Sequence, residues 1–274
     1  MPSTASPVSN YPATGPVSKA NQTLRMVTYN VGQGGRRDPA VWSHILQLLA
    51  PDLLFVQESR NPALSWHAAL PGTSAETCLW QAASRHWGTG LWVRTGRLTP
   101  LPVPEAYAGR VITAIVEDVT WPSIGQSPVV AMSIHAPTAK GSSYIKEVGH
   151  ILDYAREIAG GLPLVLGGDF NVAVALRQPD HPLYNSPGER ALLARLSEEL
   201  GLVPCWQAAH PHELPARTLR WMRRLDSLPY HCDGLFVPAD WVPTLHSCEV
   251  LEDEQWCALS DHNPVVATFA YSSV

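Results

Sequence analysis

The chain has 274 residues, of which 45% are hydrophobic and 16% charged, and its formal net charge is −5. This length allows a large buried core, and the negative charge argues against a protein that holds duplex nucleic acid through a broad basic face. A nuclease is not excluded, because a bound metal ion supplies local positive charge.

The cysteines and the N-terminus narrow the class of protein further. The five cysteines are scattered, with no C-x-x-C pair, so neither a zinc site nor a disulfide framework is expected. No apolar run approaches the roughly 20 residues that span a bilayer. Residues 1–23 are rich in Pro, Ser, Thr and Ala and do not resemble a secretory signal. We expect residues 1–23 to be a disordered tail, residues 24–274 to form one domain, and the protein to be cytoplasmic.

Strand-like and helix-like segments alternate from residue 24 onward. The first strand is predicted at LRMVTYNV, where a glycine-rich loop stops it. A helix is predicted over DPAVWSHILQLLAP, with Asp38 as N-cap and Pro39 in the first turn. LLFVQES follows as a buried strand, and further strands are predicted at TGLWVRT, RVITAIVED and PVVAMSIHAP.

The second half of the chain continues this alternation. A helix fits SSYIKEVGHILDYAREIAGG, whose apolar residues recur at helical spacing and whose end carries glycines. The stretch LVLGGDFNVAV is predicted as a strand, and the helix GERALLARLSEELGL and the strands CDGLFVP and NPVVATFAY follow. With no internal repeat or linker, the pattern predicts one α/β domain with strands packed under helices.

Polar side chains of the types used in catalysis stand at the ends of these strands. They are Asn30, Glu58, His135, Asp169, Asn171, Asp233, Asp261 and His262. Several have ordinary alternatives, because Asp169 and Asn171 can form a turn and His135 can be a buried core histidine. A carboxylate that closes a buried strand, as Glu58 does, needs a partner. Ligand sites cluster at strand ends, so the set as a whole favours one shared site.

The order of the motifs points to a family. TYNVGQG, LLFVQES, SIHAP, GGDFNV, CDGLFVP and SDHNPVV follow one another between residues 24 and 271. In content and order they resemble the endonuclease/exonuclease/phosphatase superfamily, which includes deoxyribonuclease I-like enzymes and apurinic/apyrimidinic endonucleases. The resemblance implies a four-layer α/β/β/α sandwich, with two mainly antiparallel sheets face to face and helices outside.

The resemblance also implies a metal-dependent hydrolase of phosphate esters. Hydrolysis of an anionic phosphodiester needs charge neutralisation, an in-line water and a stabilised leaving oxygen. Mg²⁺ suits the first task, because it binds through one or two carboxylates together with water and phosphate oxygens. We expect Glu58 to be the principal Mg²⁺ ligand, with Asn30 beside it and Asp261 as a further acidic ligand, and Mn²⁺ to substitute.

The remaining residues receive roles from the same resemblance. Asp169 orients or deprotonates the attacking water, and Asn171 helps to hold the phosphate. His262 hydrogen-bonds to the phosphate as charge builds, and Asp233 orients His262 and supports its charged form. His135 lies across the phosphate as a hydrogen-bond donor or leaving-group acid.

Two positions depart from the family pattern. Many members carry an acid two residues after the first-strand asparagine, where this chain has Gly32. The aspartate before the penultimate strand is often followed by an aromatic or aliphatic residue, but here Gly234 follows Asp233. Asp226 in RRLDSLPY mimics part of that pattern. We prefer Asp233, because LFVP gives it a strand on which to sit.

Two arginine groups flank the predicted cleft and are the candidate substrate contacts. Arg36 and Arg37 follow the first glycine-rich loop, and Arg220, Trp221 and Arg223 lie in ARTLRWMRRLD. Arginines around an indole can grip a phosphate and stack a base, or they can form a solvated basic surface.

Three functions remain open from the sequence. The favoured one is a nuclease or related phosphodiesterase that uses an activated water. The alternative is a phosphomonoesterase acting on a small phosphorylated metabolite or lipid headgroup. A catalytically inactive binding protein on the same scaffold is the least favoured. The expected partner is a phosphate-ester substrate, with nucleic acid among the candidates, no membrane span and no obligate protein partner.

Overall fold

The computed structural model describes residues 23–32, 41–65, 74–138, 141–177, 185–220 and 230–271. The predicted tail lies outside these residues up to position 22, and the first strand already begins at Thr23. The predicted start of the first helix at Asp38 and Pro39 also lies outside them. No helix within the described ranges is long and apolar enough to cross a membrane.

Within the described residues, twelve strands form two six-stranded sheets. In chain order they are β1 (Thr23–Asn30), β2 (Leu53–Ser59), β3 (Cys78–Ala82), β4 (Gly88–Val93), β5 (Arg97–Pro100), β6 (Val111–Glu117), β7 (Val129–His135), β8 (Leu164–Asp169), β9 (Leu202–Pro204), β10 (Asp233–Pro238), β11 (Leu245–Val250) and β12 (Val265–Ala270). The first sheet has the order β11-β12-β1-β2-β4-β3 and the second the order β5-β6-β7-β8-β10-β9. Most neighbours are antiparallel, but β1 with β2 and β7 with β8 are parallel.

Helices pack on the outer face of each sheet, but the short helix Cys205–Ala209 contributes Cys205 and Trp206 to the core between the sheets. The helices are α1 (Val41–His44), which continues as a π-helical segment (Ile45–Leu49), α2 (Pro62–Ser65), α3 (Tyr144–Ala159), α4 (Pro187–Glu198), α5 (Cys205–Ala209) and α6 (Glu254–Leu259). Trp42 and Ile45 pack on the first sheet, and α3 and α4 pack on the second. The predicted four-layer α/β/β/α sandwich is confirmed.

The ends of helices α3 and α4 carry capping residues. Ser143 accepts a hydrogen bond from the Lys146 N–H, and Gly160 ends α3 with a left-handed φ of 57°. At α4, Ser186 and Glu189 form a reciprocal capping box. The glycine end of α3 was predicted from the sequence, whereas the serine caps of the two helices were not.

All eight inner strands were predicted, whereas the four edge strands, β3, β5, β9 and β11, were not. The edge strands are mostly half-buried or exposed along their length. They therefore do not show the continuous apolar run that marks a buried strand.

The two glycines of GGDFN are required by close approach. A Cβ atom on Gly167 would lie 2.4 Å from the ring of Phe55 in the opposite sheet. A Cβ atom on Gly168 would lie 1.9 Å from the carbonyl oxygen of Ile134 in the neighbouring strand. Gly167 thus lets the two sheets pack closely, and Gly168 lets β8 lie against β7, just before Asp169.

The inward-facing positions of four strands lead from the core directly into polar residues. In β1 the core residue Met26 is followed on the same face of the strand by polar side chains two and four positions later. In β7 the core residue Ala131 is followed in the same way. The same series ends in Asn30 on β1, His135 on β7, Asp169 on β8 and Asp233 at the start of β10. One end of the inter-sheet core is therefore a polar cluster.

Candidate active site

The first part of the cluster is Asn30 with Glu58. The Asn30 Nδ2 donates to Asp169 Oδ2 at 3.0 Å and to Glu58 Oε1 at 3.4 Å, while Asn30 Oδ1 accepts from the Gly32 N–H at 3.0 Å. Asn30 therefore holds two carboxylates close together through its amide nitrogen.

Glu58 reaches this cluster through an unusual backbone conformation. Its φ is 50°, and the pairing of β2 with β4 is irregular between Val56 and Ser59. Strict alternation would turn Glu58 toward the helical layer with Leu54 and Val56, and the irregularity interrupts that alternation. Such conformations cost about 1–3 kcal/mol and concentrate at functional sites.

Asp169 is the buried centre of the site. Its Oδ1 accepts from the backbone N–H of Asn171 at 2.9 Å, and its Oδ2 accepts from Asn30. Burial and the charge of Asp233 raise the pKa of Asp169, against the opposing effect of His262 and His135. Asn171 has a left-handed φ of 54°, and its amide donates to the Ala136 carbonyl at 3.2 Å.

His262 and Asp233 form a buried hydrogen-bonded pair. His262 Nδ1 lies 2.8 Å from Asp233 Oδ2, and His262 Nε2 lies 3.9 Å from Asp169 Oδ2. Burial alone would lower the pKa of His262, but the charges of Asp233 and Asp169 and the hydrogen bond to Asp233 raise it to about 10. The imidazole is therefore a cation at neutral pH, with Nε2 as its second donor. The competing aspartate, Asp226, lies outside the described residues.

His135, in contrast to His262, is uncharged. Burial lowers the pKa of His135 to about 4, so the ring is neutral at pH 7. Arg110 Nη1 lies 3.2 Å from His135 Nδ1, and a guanidinium can only donate. His135 Nδ1 is thus the acceptor and the proton sits on Nε2, which is 3.5 Å from Glu58 Oε1 and 3.9 Å from Asp169 Oδ2.

Arg110 is a member of the site that the sequence reasoning missed. Its guanidinium lies 4.5 Å from the ring centroid of Trp87, whose ring is 5.3 Å from that of His135. The only local signal was the glycine before it, so nothing in the sequence tied Arg110 to His135.

Tyr230 was also missed, and it lies beside Asn171. The Tyr230 hydroxyl donates to the Asn171 carbonyl at 3.3 Å, and the Arg177 guanidinium lies 5.5 Å from the Tyr230 ring centroid. An aromatic ring carrying a cation thus borders the site.

The structure changes the interpretation of Arg220. Its side chain is buried, with 2% of its surface exposed, and its guanidinium donates to Asn263 Oδ1 and to the Ser260 carbonyl. The prediction of a substrate contact is therefore wrong for Arg220, because its donors are used inside the protein. The other predicted contacts, Arg36, Arg37, Trp221 and Arg223, lie outside the described residues.

Two groups of side chains offer possible metal ligands. The first, Asp169, Cys232, Asp233 and His262, has its ligand atoms within 4.8 Å of one another. His262 Nδ1 is already bonded to Asp233, and burial raises the pKa of the Cys232 thiol well above its ordinary value, so it stays protonated. This group is better explained as a hydrogen-bonded network.

The second group consists of Glu58 and Asp261, with Asn30 beside them, and its ligand types suit a hard cation. Glu58 is partly exposed. Asp261 is linked to Asn30 through Ser260, whose hydroxyl donates to the Asn30 carbonyl at 2.8 Å and lies 3.5 Å from Asp261 Oδ1. Carboxylate oxygens are the ligands that Mg²⁺ and Mn²⁺ prefer. Asn30 would join them only with its amide turned, because its nitrogen faces Glu58.

Comparison with known proteins identifies the relatives of this chain. The model of the Endonuclease/Exonuclease/phosphatase family matches residues 27–262. No curated protein matches the sequence.

Solved structures share the fold. An AP endonuclease from Archaeoglobus fulgidus has a TM-score of 0.68 and 19% identity, over 90% of this chain and 99% of that one. The AP endonuclease LMAP from Leishmania major has a TM-score of 0.66 and 16% identity, over 91% and 88%. The 3′ phosphatase NExo from Neisseria, bound to a product DNA hairpin, has a TM-score of 0.65 and 22% identity, over 90% and 99%.

Proposed function

Because the chain belongs to the endonuclease/exonuclease/phosphatase family, whose members are hydrolytic phosphoesterases, we propose that it hydrolyses phosphodiester bonds in nucleic acid with the help of a divalent metal ion. The observation that carries the proposal is the contact between Asp169 and its neighbours at the end of the core. Asn30, His135 and His262 each lie within 3.9 Å of Asp169 Oδ2.

In this proposal Glu58 and Asp261 hold Mg²⁺ or Mn²⁺. When bound, the ion would neutralise charge on the phosphate and so make the phosphorus accessible to an oxygen nucleophile. Glu58 is already held toward the site by its backbone conformation, which limits the reorganisation that binding requires.

Asp169 is proposed to orient and deprotonate the attacking water. Its pKa is raised by burial and by Asp233, which makes it a stronger base than an exposed aspartate. Asn30 and the Asn171 N–H each donate to one of its oxygens, so the direction of the carboxylate is fixed.

Two donors of different charge would face the phosphate. His262 is cationic and presents Nε2, which suits the charge that develops on the phosphoryl oxygens. His135 is neutral and donates from Nε2, and Arg110 behind it adds a guanidinium next to the same site. His135 thus acts as a hydrogen-bond donor in this proposal rather than as the acid for the leaving group.

A nucleic acid is the proposed substrate because an aromatic and cationic border adjoins the site. Tyr230 with Arg177, and Trp87 with Arg110, each pair a ring with a guanidinium. Such pairs bind a phosphate and stack a base. The phosphate-dense backbone of a polynucleotide engages both.

The proposal is tested with purified protein that has been treated with chelator and dialysed. The substrates are bis-p-nitrophenyl phosphate, p-nitrophenyl phosphate, phosphorylated sugars, a single-stranded oligonucleotide and plasmid DNA. We expect turnover of the diester and of nucleic acid, which is lost in excess EDTA and restored by Mg²⁺ or Mn²⁺.

Other outcomes would reject the proposal in distinct ways. Turnover of monoesters alone would indicate the phosphomonoesterase. Full activity in excess EDTA would reject metal dependence. Binding of the oligonucleotide without turnover of any ester would indicate a binding protein.

A further inference from the structure

We propose that Thr218 is a positioning residue that holds His262 and Asp233 together, acting through the segment 217–220. The inference rests on the proposed hydrolase function, in which this pair faces the phosphate. It goes beyond that function because Thr218 has no role in the proposed reaction, and its hydroxyl bonds only to the segment 230–233 among the described residues.

The pair needs an external support because its members come from different sheets. Asp233 begins β10 of the second sheet, and His262 lies in the turn before β12 of the first sheet. They are 29 residues apart in the chain and meet through one hydrogen bond. A small shift of one sheet against the other would separate them.

The Thr218 side chain fixes the part of the second sheet that carries Asp233. Its Oγ1 accepts from the backbone N–H of Cys232 at 2.9 Å and from the backbone N–H of Asp233 at 3.0 Å. Thr218 is fully buried, so no bulk water can replace this acceptor. This one hydroxyl oxygen therefore fixes the backbone at the start of β10, and with it the direction of the Asp233 carboxylate.

The Thr218 backbone fixes the half that carries His262. Its carbonyl oxygen accepts from the Asn263 N–H at 2.8 Å, and the neighbouring Leu219 pairs with His262 in a single antiparallel β-bridge. Thr218 is thus bonded to Asp233 itself and to the residue directly after His262.

The rest of the segment strengthens the second attachment. The Arg217 carbonyl accepts from Asn263 Nδ2 at 2.8 Å, and the Arg220 N–H donates to the Asp261 carbonyl at 2.8 Å. The buried guanidinium of Arg220 donates to Asn263 and to Ser260. The segment is therefore bonded along the whole turn 260–263, and it explains why Arg220 is buried.

The test compares Thr218→Val, which has the same shape without the acceptor, with Thr218→Ser, which keeps the hydroxyl. Thr28→Val is the matched control, because Thr28 is also fully buried and its hydroxyl bonds only to Gln57 among the described residues. Steady-state rates are measured with bis-p-nitrophenyl phosphate and Mg²⁺. In parallel, ¹H NMR follows the Nδ1 proton that His262 shares with Asp233.

We expect Thr218→Val to lower kcat by roughly 10–100-fold with little change in KM, as for other residues that orient a catalytic group. The His262 Nδ1 proton should shift or broaden in this variant, and Thr218→Ser should restore both readouts. Thr28→Val should lose stability and keep its kcat. Adding Thr218→Val to His262→Ala should cost little more than His262→Ala alone.

Several results would overturn the inference. Equal losses in Thr218→Val and Thr218→Ser would do so, as would an unchanged Nδ1 proton in Thr218→Val or additive losses with His262→Ala. If Thr218→Val does not fold, Thr218→Ala is measured in its place, and wild-type kcat in that variant would reject the role of the hydroxyl. If the wild type hydrolyses no ester, the proposed function fails, while the NMR comparison still decides whether Thr218 holds the pair.

Discussion

At the scale of single residues, the candidate site holds two similar side chains in different protonation states. His135 and His262 are both buried, yet the pKa of one is lowered to about 4 and that of the other is raised to about 10. Burial lowers the pKa of both rings; it prevails at His135, whereas at His262 the charges of Asp233 and Asp169 and the hydrogen bond to Asp233 overcome it. A neutral donor and a cationic donor therefore stand on either side of Asp169.

Glu58→Gln is the change that tests the metal site most directly. The glutamine keeps the size of the side chain but loses its charge, so we expect the Mg²⁺ concentration for half-maximal activity to rise by roughly 10–100-fold. The melting temperature should fall little, because Glu58 is partly exposed. A titration of activity against Mg²⁺ measures the effect, and an unchanged midpoint would exclude Glu58 as a ligand.

His262→Ala and Asp233→Asn should behave as changes to one unit. Each should lower kcat by roughly 10²–10⁴-fold, because the cation is either removed or left without its support. The double variant should lose little more than His262→Ala alone, since the aspartate then has nothing to orient.

Asp226→Asn is the control for that cycle and should be nearly silent. Circular dichroism checks that each variant is folded, because a buried Asp233 without its partner can destabilise the sheet. A dead Asp226→Asn beside an active Asp233→Asn would contradict the assignment.

At the scale of elements, the approach of β2 to β8 determines how closely the two halves of the site meet. The Gly167 position has no room for a methyl group, since Phe55 fills the space. We expect Gly167→Ala to lower the free energy of unfolding by about 1–3 kcal/mol through overpacking, as measured by urea denaturation.

Gly149→Ala provides the matched comparison for this prediction. Gly149 lies inside α3, where an added Cβ would lie 3.4 Å from the end of the Arg195 side chain and 3.9 Å from a methyl group of Leu192. Alanine favours a helix over glycine by roughly 0.5–1 kcal/mol, so this variant should be neutral or more stable. Equal urea midpoints for the two variants would show that the sheets can separate without cost.

At the scale of the whole molecule, the buried histidines make stability depend on pH. Burial lowers the pKa of His231 to about 4, and its Nδ1 lies 2.7 Å from the Ala216 carbonyl. The unfolded chain binds a proton at this histidine below about pH 6.5, but the folded chain does so only near pH 4. Stability should therefore fall as the pH drops from 6.5 to 4, by up to about 1.4 kcal/mol per pH unit for this group.

His231→Asn should reduce that dependence. The asparagine amide can donate to Ala216 as the ring does, but it does not titrate, so the slope of stability against pH should become shallower by up to one proton. His135 contributes a similar slope, because its pKa is also lowered to about 4, and it remains in both proteins. Urea midpoints at several pH values between 4 and 7 provide the measurement, and parallel slopes would contradict the prediction.

The sequence by itself determined the inner architecture and the candidate catalytic residues. Inner strands such as β2 and β8 are buried on both faces, so their apolar runs are visible without any partner. The polar residues that end these runs, among them Asn30, His135 and Asp169, stand out for the same reason. The edge strands could not be predicted in this way, because pairing with a neighbouring strand rather than their own composition determines their conformation.

Only the tertiary structure decided which of these residues touch. The contact of Asp233 with His262, the contact of Arg110 with His135 and the burial of Arg220 all join segments distant in the chain. Sequence patterns report the period of one element and its local turns. The charge state of a side chain and the use of its donors depend instead on what the opposite sheet brings within hydrogen-bond distance.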